Sequence, residues 1–220
     1  MSRVSIATPE VADYVVAHST RPDAIQRALI EDTSEKVGVM SIMQIGQDQG
    51  AFMSILAATM QPKFAVEVGT FTGYSALCIA RGLAPGGRLL CCDISDEWTS
   101  IGRPHWEAAG VADQIDLQLA PALETLQALP AEPTIDFAFI DADKGGYQGY
   151  YEEILARLSP RGVILIDNTL WSGAVLPDSG AEDDDTIALR KLNDFIAADE
   201  RVEVVQLTVG DGITMVRRRG

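Results

Sequence analysis

Histidine is nearly absent from this 220-residue chain: His18 and His105 are the only two, so a zinc site built on several imidazoles is not expected. Cysteine is scarce as well. Of the three, Cys78 falls in a helical pattern, and Cys91 and Cys92 are neighbours in an apolar run. Adjacent residues on a strand point to opposite faces and make no redox pair. Three reduced structural thiols are therefore expected, not a disulfide framework. Positive charge is short, with 17 basic against 32 acidic residues and a net charge of −15. That balance disfavours an extended contact with phosphates, so no nucleic-acid partner is expected, although a local basic patch is compatible with an acidic total. No stretch approaches the roughly 18–20 apolar residues that span a bilayer. The opening MSRVSIATPEVADYVV lacks a basic start followed by an apolar block, so no secretory signal is expected and the cytoplasm is the expected compartment. Repeats, low-complexity tracts and Gly/Ser linkers are missing too.

What is present has an ordinary globular balance, 47% hydrophobic and 22% charged, enough to bury one substantial core. One domain over 1–220 is expected, with helices in 1–60 capping a core in 61–220. Apolar residues recur at helical spacing over 9–18, 23–36 and 48–60. From Phe64 the pattern alternates. Strands are expected at Phe64–Val68, 88–92, Ile115–Leu119, Ile135–Ile140 and 162–166, and helices at 74–81, 97–109, 122–129, 150–158 and 186–198. Gly110 is placed to end the helix over 97–109. Val202–Leu207 and 213–216, joined through Gly210-Asp211-Gly212, close the chain as a hairpin. Alternating strands and helices imply a parallel α/β sheet covered on both faces, and the hairpin adds one antiparallel strand. Ligands of such sheets bind beyond the carboxyl ends of the strands, where strand order reverses. The residues just after each strand are therefore the candidates.

After the first strand the chain reads Glu67-Val68-Gly69-Thr70-Phe71-Thr72-Gly73-Tyr74-Ser75. A dinucleotide fingerprint places a second glycine where the backbone meets a pyrophosphate. Here Phe71 fills the space between Gly69 and Gly73, which suits a cofactor with no diphosphate. S-adenosylmethionine offers adenosine, a sulfonium and an amino acid. Glu67 can accept from its ammonium, Asp93 at the end of strand two from both ribose hydroxyls, and Ser75 with the loop amides can hold its carboxylate. A tight turn without a ligand is the plainer reading of the glycines alone; Glu67 and Asp93 together argue against it.

Strand four runs into Asp141-Ala142-Asp143-Lys144 and strand five into Asp167-Asn168. Both ends lie on the edge that carries the cofactor loop. Hard oxygen donors without sulfur or imidazole suit Mg²⁺, or Mn²⁺ and Ca²⁺. Two adjacent hydroxyls chelating such an ion would be acidified and aligned. Lys144 is placed to accept the proton, a role that needs a nearby cation to favour the neutral amine. The competing reading makes the aspartates helix caps and turn formers.

VEVGTFTGYSAL (66–77), CDIS (92–95), GRPHWEAAGVADQIDL (102–117), FIDADK (139–144) and IDNTLWSG (166–173) closely resemble the caffeoyl-CoA O-methyltransferase family, with bacterial catechol-type enzymes among its relatives. The resemblance runs in order from about Met43 to Val216. It implies the class I methyltransferase (Rossmann-like) fold, with a seven-stranded, mostly parallel sheet and an antiparallel final strand. It also implies S-adenosylmethionine, a Mg²⁺-type ion and a homodimer. By motif, Asp141, Asp167 and Asn168 match metal ligands and Lys144 the proposed base, beside the acceptor. Glu67, Gly69, Thr70, Phe71, Ser75, Asp93 and Asp141 match cofactor contacts, Ala122 a position beside adenine, and Met43 a methionine near the methyl donor. Trp171 falls where the family places an aromatic residue against the acceptor. Gly146 departs from a common Asn, Gly46-Gln47-Asp48 from a stretch usually Ser-Pro-Glu, and Ala120 from a frequent glycine. No clear counterpart of the plant enzymes' acceptor insertion exists in 174–185, so a coenzyme A thioester is not assumed.

The expected activity is metal-dependent O-methylation of a vicinal dihydroxy aromatic small molecule of catechol, hydroxycinnamate, flavonoid or polyketide type. Two alternatives are O-methylation of a hydroxylated tRNA nucleoside and a non-catalytic nucleoside-binding protein. Outside the site, the acidic run 183–185 is expected to be solvated and favourable to a helix dipole, and His105 to be structural. Trp98 and Trp106 either flank adenine or pack, and Arg217 to Arg219 read as a solvated tail.

Overall fold

The computed structural model describes residues 8–220; residues 1–7, part of the stretch read for a leader, lie outside the described residues. Three helices come first: α1 (Pro9–Ala17), α2 (Ala24–Val37) and α3 (Gln47–Met60), with a 3₁₀ segment, Gly38–Met43, before α3. The alternating part follows as β1 (Phe64–Val68), α4 (Tyr74–Ala80), β2 (Arg88–Asp93), α5 (Asp96–Ala108), β3 (Ile115–Leu119), α6 (Ala122–Gln127) and β4 (Ile135–Ile140). Then come α7 (Tyr147–Arg157), β5 (Leu158–Ile166), α8 (Asp184–Ala197), β6 (Val202–Leu207) and β7 (Ile213–Arg218).

Local chemistry sets several boundaries. Asp23 and Gln26 form a reciprocal box at the start of α2: Gln26 N donates to Asp23 Oδ1 at 2.9 Å and Asp23 N to Gln26 Oε1 at 3.1 Å, satisfying two orphan amides. Asp183 caps α8 by accepting from Thr186 N at 2.9 Å, and Asp184 and Asp185 sit in its first turn, where negative charge meets the positive helix end. The acidic run thus begins a helix. Gly110 follows α5 at φ +69°, a left-handed step that ends the helix.

The sheet order is β3-β2-β1-β4-β5-β7-β6, and β7 alone runs antiparallel to its neighbours. From β1 the chain moves outward through β2 to β3, then returns to the other side of β1 as β4. The reversal between β1 and β4 is the switch point of the sheet. Central strands are buried on both faces, so β1 reads FAVEV with every residue buried. On one face Val66, Val68 and Ile140 pack with Tyr147, Tyr151 and Leu189. On the other, Ala65, Phe137 and Phe139 pack with Tyr74 and with Leu29 and Met53 of α2 and α3. Burying one such large side chain contributes about 1.5–3 kcal/mol. Cys91 and Cys92 fall in opposite clusters, and all three thiols are free and buried.

Three expectations are corrected. α7 begins at Tyr147, not at 150, and β5 begins at Leu158, not at 162. Ile135 pairs with Leu158 but Phe137 with Val163, so the intervening Ser-Pro-Arg-Gly forms an irregular stretch. Ser159 Oγ anchors it on Asp136 Oδ1 at 2.8 Å. The third concerns the carboxyl-terminal arginines, which are not a solvated tail. β7 extends through Arg218, where Arg217 pairs with Glu203 and Arg218 donates from Nε to Leu158 O at 3.1 Å. Arg219 Nη2 donates to Val202 O at 3.2 Å. Each arginine meets an acceptor on a neighbouring element that hydropathy along the chain does not reveal.

Candidate active site

The parallel ladder continues one residue past each central strand. Gly69 N donates to Cys92 O at 2.9 Å, Asp141 N to Val68 O at 2.8 Å and Asp167 N to Ile140 O at 2.9 Å. Gly69, Asp141 and Asp167 are therefore consecutive rungs at the carboxyl edge of the sheet, with Asp93 beyond Gly69. Neighbouring strands lie about 4.8 Å apart, so the row separates a first end, around Asp93, from a second, around Asp167. Gly69 is obligatory here: at φ +86°, a Cβ would lie 1.8 Å from Asp141 O.

A cavity of about 1820 Å³ opens over this row, larger than the roughly 300–1,000 Å³ of a single-ligand pocket. Met43, Gly69, Thr70, Phe71, Ser75, Asp93, Ala122, Asp141, Lys144, Asp167, Asn168 and Trp171 all line it. Glu67 does not line it but lies two residues before Gly69, fully buried. Glu67 Oε2 is 3.4 Å from Cys91 Sγ, and Oε1 has no hydrogen-bond partner. Burial raises its carboxyl to about 8, with Asp141 adding to the rise and Ser75, Cys91 and Thr70 opposing it. A buried acceptor with an unused oxygen fits a cationic group such as an ammonium.

Asp93, which lines the cavity, also accepts from the backbone. Its Oδ2 accepts from Thr70 N at 2.9 Å and Phe71 N at 2.8 Å, and its Oδ1 from Ile94 N at 2.7 Å and Ser95 N at 2.8 Å. These four amides occupy the lone-pair directions of the carboxylate. Asp93 therefore holds the Gly69–Gly73 loop in shape, including Phe71 at φ +51°. Trp98 lines the cavity and meets Phe71 edge-on, ring centres 5.2 Å apart. Trp106 stays outside it, buried, donating to Gly73 O at 3.0 Å. His105 Nε2 lies 3.0 Å from Asp32 Oδ2, away from the cavity.

At the other end, Lys144 is 8% exposed and, among the described residues, is the only basic one lining the cavity. Its Nζ donates to Asn168 Oδ1 at 2.7 Å, Ala142 O at 3.1 Å and Asp141 Oδ1 at 3.3 Å, and lies 2.6 Å from Tyr147 Oη. It also sits 5.4 Å from the centre of the Trp171 ring. Asp167 is buried, and burial, reinforced by the Asp141 charge, raises its carboxyl above the usual range. Two carboxylates and an amide oxygen thus converge with too little positive charge to balance them, a donor set that fits a hard divalent cation. Among the described residues no three His, Cys, Asp or Glu side chains gather as metal ligands; the third oxygen here belongs to an amide.

Gly46, Gln47, Asp48 and Ala120 also line the cavity. Gly146 has a local reason: a Cβ there would lie 2.6 Å from the Tyr150 ring, whose hydroxyl donates to Asp143 Oδ1 at 2.7 Å. Sequence reasoning missed Tyr147, Tyr150 and Asp211. Asp211 lines the cavity from the β6–β7 turn; an acidic residue between two glycines was the available signal, read only as a hairpin turn.

A sequence profile described as O-methyltransferase matches residues 16–219. The chain is 38% identical over 211 residues to probable caffeoyl-CoA O-methyltransferase 1 of Dictyostelium discoideum, covering 94% of this chain and 91% of that protein. It is 36% identical over 224 residues to flavonoid 3',5'-methyltransferase of Vitis vinifera, covering 97% and 95%. Among solved structures, the O-methyltransferase from Bacillus cereus in complex with SAH superposes with a TM-score of 0.84 at 30% identity, over 96% of this chain and 97% of that one.

Proposed function

Because the chain belongs to the O-methyltransferase family, we propose that it moves a methyl group from S-adenosylmethionine to one hydroxyl of a vicinal dihydroxy aromatic small molecule, with a divalent ion bound by Asp141, Asp167 and Asn168. The observation that carries this reading is the convergence of those three oxygen-bearing side chains with Lys144 beside the Gly69 loop on one sheet edge. The Bacillus cereus relative is described with SAH, and the Vitis vinifera relative is named for flavonoids; both agree with the proposed donor and acceptor class.

In this reading Glu67 accepts from the amino group of the donor, and the Thr70–Ser75 loop holds its carboxylate end. Ala122 and Trp98 lie on the nucleoside side, and Met43 near the transferring methyl. Trp171 packs on the acceptor ring. A phenol with a pKa of about 10 is almost all neutral at pH 7, so the attacking oxygen must lose its proton. A divalent ion, when bound, would acidify chelated hydroxyls and fix them in place. In its neutral-amine form Lys144 Nζ receives the proton, and Tyr147 Oη at 2.6 Å keeps the amine aimed. The acceptor oxygen forms a bond to the methyl carbon as the carbon–sulfur bond breaks, its electron pair returning to sulfur. With a sulfonium leaving group, the protein's remaining contribution is alignment.

The test is turnover of a catechol by two variants. Asp141→Ala loses metal-supported turnover and keeps most of its affinity for the donor. Lys144→Ala loses roughly 10²–10⁴ in kcat, the range of a positioned general base, with the fold intact by circular dichroism. Unchanged turnover in both would overturn the site.

A further inference from the structure

The loop after β5 holds three non-glycine residues in left-handed backbone: Asn168 at φ +58°, Trp171 at +44° and Ser172 at +54°. Such residues cost about 1–3 kcal/mol each and persist only where the surroundings over-determine them. The turn joining β6 to β7 supplies that constraint. Thr169 N donates to Gly212 O and Leu170 N to Asp211 O, each at 3.1 Å. Ser172 N donates to Asp211 Oδ1 at 2.6 Å, and Ser172 Oγ reaches the same oxygen at 3.3 Å. Gly212, at φ +90°, lies so close to Leu170 that a Cβ would fall 2.5 Å from it.

Asn168 opens the same loop, one residue before the Thr169 contact to Gly212. A side-chain amide has one donor end and one acceptor end. The acceptor end of Asn168, Oδ1, faces Lys144 Nζ at 2.7 Å, the direction in which an ion ligand must point.

We propose that Asp211 is a positioning residue: its carboxylate clamps Ser172 and, with the Thr169 and Leu170 contacts, fixes the 167–173 loop so that it presents Asn168 Oδ1 and Trp171 to the ion and the acceptor. This deepens the proposed function and rests on it for the role of the ion; the clamp itself rests on the hydrogen bonds alone. Asp211 acts through Ser172 and the loop backbone and takes no part in the bond changes.

Hydrogen exchange over 165–176, Mn²⁺ affinity and SAH affinity are measured on the full chain and on Asp211→Ala and Asp211→Asn. In Asp211→Ala, exchange at 169–173 accelerates at least about tenfold, since the capping acceptor is gone. Mn²⁺ binds about 10–100-fold more weakly, as expected when a partner that orients a ligand is lost. SAH affinity stays within about threefold, because its loop is braced by Asp93. Asp211→Asn, which can still accept from Ser172 N, restores exchange protection and, with it, most of the Mn²⁺ affinity. Exchange within about twofold of wild type in Asp211→Ala overturns the clamp, even if acceptor KM rises, since that would mean direct contact with the acceptor. An equal loss of SAH and Mn²⁺ affinity overturns a positioning role in favour of general destabilisation. If the wild-type chain binds no Mn²⁺, the ion reading fails, while the exchange comparison still decides the clamp.

Discussion

Replacing Glu67 with Gln removes one ionisable group from the sheet centre and changes almost nothing in shape. In the ligand-free protein the Glu67 carboxyl is raised from 4.5 to about 8, chiefly by burial. Between those values the folded chain keeps a proton that the unfolded chain has released. The folded state therefore binds more protons, and stability falls as pH rises through that window. At about 1.4 kcal/mol per pH unit the whole span is worth on the order of 5 kcal/mol at most. For a chain of this length 1 kcal/mol moves Tm by about 2–4 °C. Glu67→Gln cannot ionise, so its Tm should match wild type near pH 5 and exceed it by roughly 5 °C or more at pH 8.5. Differential scanning fluorimetry across pH 5–9 reads this directly. Affinity moves the other way: losing a charged acceptor for the donor's ammonium should weaken SAH binding about 10–100-fold. An offset in Tm that is the same at pH 5.5 and 8.5 would refute the assignment of a buried, proton-holding carboxyl at this position.

Two further outcomes follow from the backbone and the packing. Gly69→Ala and Gly86→Ala both place a Cβ at positive φ, +86° and +74°, but only Gly69 has backbone in the way, 1.8 Å from Asp141 O. Urea unfolding should show a loss of about 1 kcal/mol for Gly86→Ala, and a larger loss together with abolished SAH binding for Gly69→Ala; equal effects would refute the close approach. Gly146→Asn introduces atoms where the Tyr150 ring lies at 2.6 Å and should cost about 1–3 kcal/mol by overpacking. In a double-mutant cycle that cost should largely disappear in a Tyr150→Ala background, and strict additivity would show that the two positions do not compete for space.

The fold was legible wherever one residue type had one structural meaning. β1 and β4 are short β-rich runs bounded by breakers, and the sheet buries both faces of them, so pattern and structure agree. The placement of Asp141 and Asp167 at one sheet edge was legible for a related reason: a parallel ladder puts the residue after each strand at one edge, and strand ends are readable. What escaped depends on partners distant in sequence. Arg218 looks solvated until β7 is laid beside the Leu155–Leu158 carbonyls. The bracing role of Asp93 is invisible until the Thr70 and Phe71 amides fold onto it. Asp211 reads as a turn residue until the β5 loop arrives. In each case the missing information is which donor or acceptor the tertiary fold delivers, and local propensity carries none of it.

The central claim, metal-supported methylation of one of two adjacent hydroxyls, is tested most directly by transfer from labelled S-adenosylmethionine to matched catechols and monophenols, each with Mg²⁺ and again with excess EDTA. The account predicts labelled product from the catechols alone, and its loss in EDTA. Equal turnover of monophenols, or turnover that survives EDTA, would contradict it.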